Sequence, residues 1–207
     1  KYWMHNGFIT VNGEKMSKSL GNFYTVHDLL ETQKGETLRL TILAAHYRQP
    51  CDFTDKGMVE AKATLDKWYG ALNKVKDIEA TKDAGVAEKV EAALLDDMNT
   101  PLAISEVHNL VTHLNKATDD AEKAKLKGQL LASGYALGLL EQDAEEWLKG
   151  GASEDGPSDT EIEDLIQKRI EAKAAKDFAL SDQIRDDLAS QGIILEDSAE
   201  GTTWRRN

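Results

Sequence analysis

Cysteine, long apolar runs and an excess of positive charge are what this chain lacks, and each shortage closes off a class of protein. Cys51 is the only cysteine among 207 residues, so an internal disulfide is impossible and a cysteine-rich zinc cluster is excluded. Such usage fits a reducing cytoplasm. No apolar stretch approaches the roughly 18 residues that cross a bilayer, and no signal-peptide pattern opens the chain, so a water-soluble protein with no membrane partner is expected. Lysine and arginine number 25 against 37 aspartates and glutamates, a formal charge of -12. That balance argues against indiscriminate nucleic-acid binding, which needs cations concentrated on the contacting face; any RNA contact must be local and dependent on shape. Histidines with partners are lacking too. His5 has none at metal-like spacing and reads as structural, while His108 and His113 fall on different sides of a helix and share no metal.

Against these absences stands one basic cluster, Lys15-Met16-Ser17-Lys18-Ser19, followed at once by Leu20-Gly21-Asn22. Two ammonium groups separated by an apolar residue and flanked by hydroxyls make a compact set of donors suited to a polyphosphate. A lysine on its flexible stem can follow a phosphate as a bond breaks, and stabilising charge on a leaving group is differential binding of the transition state. An isolated lysine pair would otherwise read as a solvated basic turn. Just ahead, Phe8-Ile9-Thr10-Val11 is strand-like and Asn12-Gly13 favours a two-residue type I′ turn. The lysines are therefore expected on a mobile loop carried by a short hairpin, as a lid over a nucleotide requires.

The pentapeptide and its Leu-Gly-Asn tail resemble the second signature sequence of class I aminoacyl-tRNA synthetases; chance would produce the five residues with odds on the order of one in ten thousand. Tyr2-Trp3-Met4-His5 upstream and Gly201-Thr202-Thr203-Trp204-Arg205-Arg206 at the far end narrow the resemblance to cysteinyl-tRNA synthetases, over residues 1 to 207. The resemblance implies activation of L-cysteine by ATP to cysteinyl adenylate with release of pyrophosphate, then transfer to tRNA-Cys through the 2′-hydroxyl of its terminal adenosine. Lys15 and Lys18 are the implied catalytic residues, Lys18 foremost. Lys18, Met16, Ser17 and Ser19 are the implied ATP contacts. Mg2+ with the ATP is implied, as is a Zn2+ that holds the cysteine thiolate through ligands outside this chain. Cys51 matches none of those ligand positions and reads as a small packed residue. A cytoplasmic monomer is implied. Since the first residue is Lys1 and the motif lies close behind it, the chain reads as the C-terminal part of a longer enzyme, inert by itself.

The expected fold is mainly α. The tail of a catalytic domain occupies 1 to 34, a connecting helix 35 to 53, an antiparallel helical bundle 54 to 149, a linker 150 to 158, and a small α+β unit 159 to 207. Helical period resumes at 25 to 34 behind Thr25 as a cap, and Gly35 breaks it. Glu36-Thr37-Leu38-Arg39 opens the next helix, with Leu38, Ile42, Leu43 and Ala45 inward. By resemblance this is where Asp-Ala-Leu-Arg is usual, so Glu36 and Thr37 are departures. Apolar stripes at Met58, Ala61, Leu65, Trp68, Leu72 and Val75, and then at Val86, Val90, Leu94 and Met98, define two helices of the bundle. Thr100-Pro101 starts a third as cap and first-turn proline, and Leu126, Leu130, Leu131, Leu137 and Leu140 mark the fourth. These stripes are core. Gly150 to Ser158, low in apolar residues and rich in breakers, is the linker.

The final unit reads as two helices, the second ending at Gly192, and two short strands around a turn at Asp197 to Gly201. Lys168, Arg169, Lys173 and Lys176 lie near Phe178, Asp182 and Arg185, a mixture of cation, carboxylate and ring that single-stranded RNA recognition uses. Without further information it would read as a solvated helix face. The resemblance implies that the unit reads the anticodon through Lys173, Phe178, Asp182, Arg185 and Asp197; arginine and tryptophan are usual at the first two. Trp204 fits either base stacking or a buried anchor for the hairpin. Two other functions stay open: a ligase joining cysteine to an amino sugar, which shares the adenylate chemistry and needs no anticodon reader, and a module that only binds tRNA.

Overall fold

The structure, a computed structural model, describes residues 1–150, 157–198 and 201–206, and is mainly helical. It divides into two compact units, Lys1–Glu141 and Gln142–Asn207. No helix among the described residues is long and apolar enough to cross a membrane.

The first unit opens on a small sheet. Strands β1 (Ile9–Val11) and β2 (Glu14–Lys15) form the expected hairpin, with Asn12 and Gly13 at φ 51° and 78° as a type I′ turn requires. A third strand, β3 (Cys51–Phe53), joins β1 in parallel. It was not expected, because three residues behind a proline are too few to show a period. Cys51 lies half-buried in it, and burial pushes its thiol pKa up, as a packed cysteine's should be.

Helix α1 (Val26–Leu30) starts where Thr25 and Asp28 cap each other's amides reciprocally. In α2 (Gly35–Leu43), Gly35 is the first residue of the new helix. Leu38 and Leu40 are buried, but Ile42, expected inside, is 46% exposed. Thr37 and Thr41 hold part of the inner face instead. The Thr41 hydroxyl donates to the Thr37 carbonyl at 2.8 Å, so it can be buried without an unmet bond.

The bundle consists of α3 (Asp55–Lys74), α4 (Glu88–Leu95), α5 (Thr100–Lys116) and α6 (Asp120–Ala136). The α3 stripe from Met58 to Leu72 is buried as its period demands. Trp68 donates its indole N–H to Nδ1 of His108 at 3.3 Å, a structural use for that histidine. Helix α4 stops short of Met98, since Asp97 and Met98 both take φ 53°. The Asp97 carboxylate there accepts from the Tyr47 hydroxyl and, bidentately, from Arg48 at 2.7 and 3.0 Å. Asn99, rather than Thr100, caps α5. Helix α6 ends before Leu137 and Leu140, which are buried in the turn beyond it. Gly138 at φ 66° closes that end: its amide donates to the Tyr135 carbonyl and that of Leu139 to Gly134, the paired bonds of a Schellman cap.

The second unit holds α7 (Ala144–Lys149), α8 (Asp159–Ala174), α9 (Phe178–Ser190) and a hairpin of β4 (Ile193–Ser198) with β5 (Gly201–Arg206). Helix α7 packs on β5 with Trp147 buried, so it belongs here and not to the bundle. Ile162, Ile166, Ile184, Leu188, Ile193 and Trp204 make one core. Trp204 is 9% exposed and is therefore the hairpin's anchor, unavailable for base stacking. Asp197 sits within β4 opposite Thr202, where a turn was expected. Most of the linker, residues 151–156, lies outside the described residues; Ser158 at its end caps α8 in a reciprocal box with Glu161.

Candidate functional site

The signature loop is mounted on the hairpin, and one carboxylate reinforces the β1–β3 pairing that fastens the hairpin to β3. Asp52 Oδ1 accepts from the Gly13 amide at 2.8 Å and from the Thr10 hydroxyl at 2.9 Å. Beyond Lys15 the chain makes a single 3-10 turn, Lys18–Leu20. The Ser17 hydroxyl caps it by accepting from the Leu20 amide and lies 2.8 Å from the Ser19 hydroxyl. Gly21, at φ 67°, ends the turn. Asn22 then closes the loop upon itself: its Oδ1 accepts from the Ser17 amide at 2.8 Å, and its Nδ2 donates to the Lys15 carbonyl at 3.3 Å.

What this clip presents to solvent is the lysine pair. Lys15 and Lys18 are exposed, and neither has an ion-pair partner among the described residues. Two uncompensated ammonium groups on a backbone already fixed by side-chain bonds attract a polyanion at little ordering cost. Met16 and Ser17 are half-buried and Ser19 is exposed.

The second cluster lies in the final unit. Arg169 and Lys173, one turn apart on α8, both reach Asp197 on β4. Arg169 Nη1 and Nη2 donate to Oδ1 and Oδ2, each at 2.9 Å, and Lys173 Nζ donates to Oδ2 at 3.0 Å. Thr202, across the hairpin, donates its hydroxyl to Oδ1 at 2.7 Å. Led by the arginine, these donors hold the Asp197 carboxyl far below the usual carboxylate range. On α9, Phe178, Asp182 and Arg185 share one exposed stripe, with Phe178 63% exposed. Asp182 is near enough to Arg169 to favour its charge.

The structure thus brings Lys173 and Asp197 into contact and sets Phe178, Asp182 and Arg185 in line. It also removes two cations from the exposed set. Arg169 is buried, and Arg206 is spent internally, donating to the carbonyls of Lys149 and Pro157 and pairing with Asp159. Asn22 and Asp52 escaped the sequence reading. Asn22 stood within the quoted Leu-Gly-Asn tail; nothing local marks Asp52, whose partners lie about forty positions earlier.

Residues 1–63 match the family model described as tRNA synthetases class I (C) catalytic domain, and residues 89–141 match that of the DALR domain. The chain is 56% identical, over its full 207 residues, to the cysteine--tRNA ligase of Paramagnetospirillum magneticum, of which it covers 45%. It belongs to the cysteine--tRNA ligase family. Against the cysteine--tRNA ligase of Rhodospirillum rubrum the identity is 53%, again with all of this chain and 45% of that protein covered. The chain thus spans less than half the length of these curated relatives. A looser likeness joins it to the ternary complex of Agrobacterium radiobacter K84 agnB2 LeuRS, tRNA and LeuAMS, with 21% identity, 69% of this chain and 21% of that one covered, and a TM-score of 0.49. In this cysteine--tRNA ligase family member, the catalytic-domain match takes in the whole signature loop. The DALR match ends at Glu141, the residue at which the first compact unit ends.

Proposed function

We propose that this chain supplies the phosphate-gripping loop and the tRNA-reading unit of an ATP-dependent ligase that joins L-cysteine to tRNA-Cys. The observation that carries the reading is the lysine pair, exposed and uncompensated on a loop closed by Asn22. In the first half-reaction the cysteine carboxylate attacks the α-phosphorus of ATP, and the bond to pyrophosphate breaks. Lys18, aided by Lys15, takes up the charge that gathers on the departing phosphates. Ser17, Ser19 and Met16 shape the loop around the nucleotide. The acyl group then passes from the adenylate to the 2′-hydroxyl of the terminal adenosine, as the acyl–phosphate bond breaks and AMP leaves with the hydroxyl proton.

Magnesium would neutralise charge on the ATP phosphates and zinc would hold the substrate thiolate, the zinc through ligands outside this chain. The described residues contain no cluster of three or more metal-ligating side chains, so no step is assigned to a metal held here. Lys173, Phe178, Asp182, Arg185 and Asp197 hold the anticodon nucleotides, Lys173 through their phosphates, and a folded unit carrying that set favours the tRNA ligase over a cysteine:amino-sugar ligase. The whole enzyme acts as a cytoplasmic monomer. Cysteine-dependent ATP–pyrophosphate exchange by the full-length enzyme tests the loop: Lys18→Ala is expected to lower it by about a hundred- to a thousandfold. Undiminished exchange in a variant with both Lys15 and Lys18 changed to alanine would remove the reading.

A further inference from the structure

Asp197 has no acceptor capacity left. A carboxylate offers about four lone-pair sites, and Arg169 with two N–H groups, Lys173 with one and Thr202 with its hydroxyl supply four donors at 2.7 to 3.0 Å. If Asp197 accepts from a nucleobase, one of these must leave. The candidates differ sharply. The Arg169 side chain is 4% exposed and grips with two parallel bonds, whereas Lys173 is 42% exposed and makes one bond from a flexible stem. The buried arginine is also costly: its Nε has no hydrogen-bond partner among the described residues. An apolar side chain would fill that volume at less expense, so the arginine's use lies in what it holds.

We propose that Arg169 is a positioning residue for RNA reading: it locks the Asp197 carboxylate so that an unpaired base bearing an exocyclic amino group displaces Lys173 from Oδ2 and takes its place. This rests on the reading of Asp197 as an anticodon contact. The displaced Lys173 ammonium turns to the RNA phosphates. Loss of Arg169 therefore damages discrimination between bases, and loss of Lys173 lowers affinity for every sequence alike.

The test uses full-length enzyme, tRNA-Cys transcripts and transcripts with each anticodon base replaced in turn, measuring kcat and KM of cysteinylation. Arg169→Met and Asp197→Asn are each expected to raise KM for the cognate transcript about tenfold or more, with a smaller change in kcat. Both flatten discrimination at the same anticodon position, and the double variant is no worse than the worse single one. Arg169→Lys recovers only part of the loss, because one ammonium cannot reproduce the two-pronged grip. Lys173→Met keeps the discrimination while weakening all transcripts and making binding less salt-dependent. If Arg169→Met unfolds the final unit, Arg169→Lys carries the same comparison. Discrimination intact in the Arg169 variants but lost in Asp197→Asn would overturn the positioning role alone. Discrimination intact in Asp197→Asn would overturn the anticodon reading beneath it.

Discussion

The Tyr69 hydroxyl lies 2.9 Å from both carboxylate oxygens of Glu36, in the interior of the first unit. The amides of Leu140 and Glu141 donate to the same two oxygens at 3.0 and 3.1 Å. One carboxylate at the start of α2 thereby fastens the turn that closes the bundle, more than a hundred residues later. Glu36→Ala would take this acceptor from three donors, two of them buried, and the expected loss is about 3 to 5 kcal/mol of unfolding free energy. Tyr69→Phe should cost less, about 1 to 2 kcal/mol. Urea unfolding of the chain measures both; a loss under 1 kcal/mol for Glu36→Ala would contradict the role given to it.

Lys176 takes φ 61° at the end of α8, where a glycine would meet no Cβ penalty. Its neighbour Asp177 donates its amide to the Ala172 carbonyl and at once caps α9. Lys176→Gly is expected to raise the stability of the final unit by about 0.5 to 1 kcal/mol. Thermal melting should register the gain as a higher Tm.

Asn22 closes the signature loop, and Asp52 braces the hairpin that carries it. Asn22→Ala and Asp52→Ala in full-length enzyme should each slow cysteine-dependent pyrophosphate exchange by about tenfold, since the lysines then have to be ordered at the moment of reaction. The overall Tm should scarcely move. An exchange rate equal to wild type in both variants would mean that the loop needs no such support.

Acid should act on the final unit through Asp197. Its pKa is depressed in the folded state by Arg169, Thr202 and Lys173, so its contribution is fully present above the unfolded carboxylate value, about 3.9, and drains away as pH falls below it. Asp197→Asn should therefore melt below wild type by a constant interval from pH 7 to about 5, and the interval should narrow below about pH 4. Melts across that range check the sign. A gap that closed by pH 6 would point to a different group.

Periodicity and local turn chemistry made much of the fold legible. The Asn12-Gly13 hairpin, the Thr25 cap and the long α3 stripe follow from spacing and turn preference, each over enough residues to stand out. Ile42 misled because periodicity ranks apolar residues above threonine, and only the structure shows Thr41 satisfied by its own helix. The start of Leu137 to Leu140 looked helical, and Gly138, with its left-handed backbone, was the overlooked stop. At the sites, sequence supplied the reactive residues but not their supports. Lys15 and Lys18 stand three apart in one motif, whereas Asp52 acts across the sheet and Arg169 across the unit. Long-range bonds leave no local period, and charge alone gave no sign that Arg169 would be interior and Lys173 exposed.

Arg206 grips the carbonyls on either side of residues 151–156, while its guanidinium and the Lys149 ammonium stand over the Trp204 ring at 4.9 and 5.7 Å. An excision that begins at Asp159 would strip the terminal hairpin of α7 and bare its tryptophan to water. The clean place to part the polypeptide is after Glu141. A protease that nicks the chain between Lys149 and Pro157 should release no fragment while that guanidinium and the packing of α7 on β5 both hold.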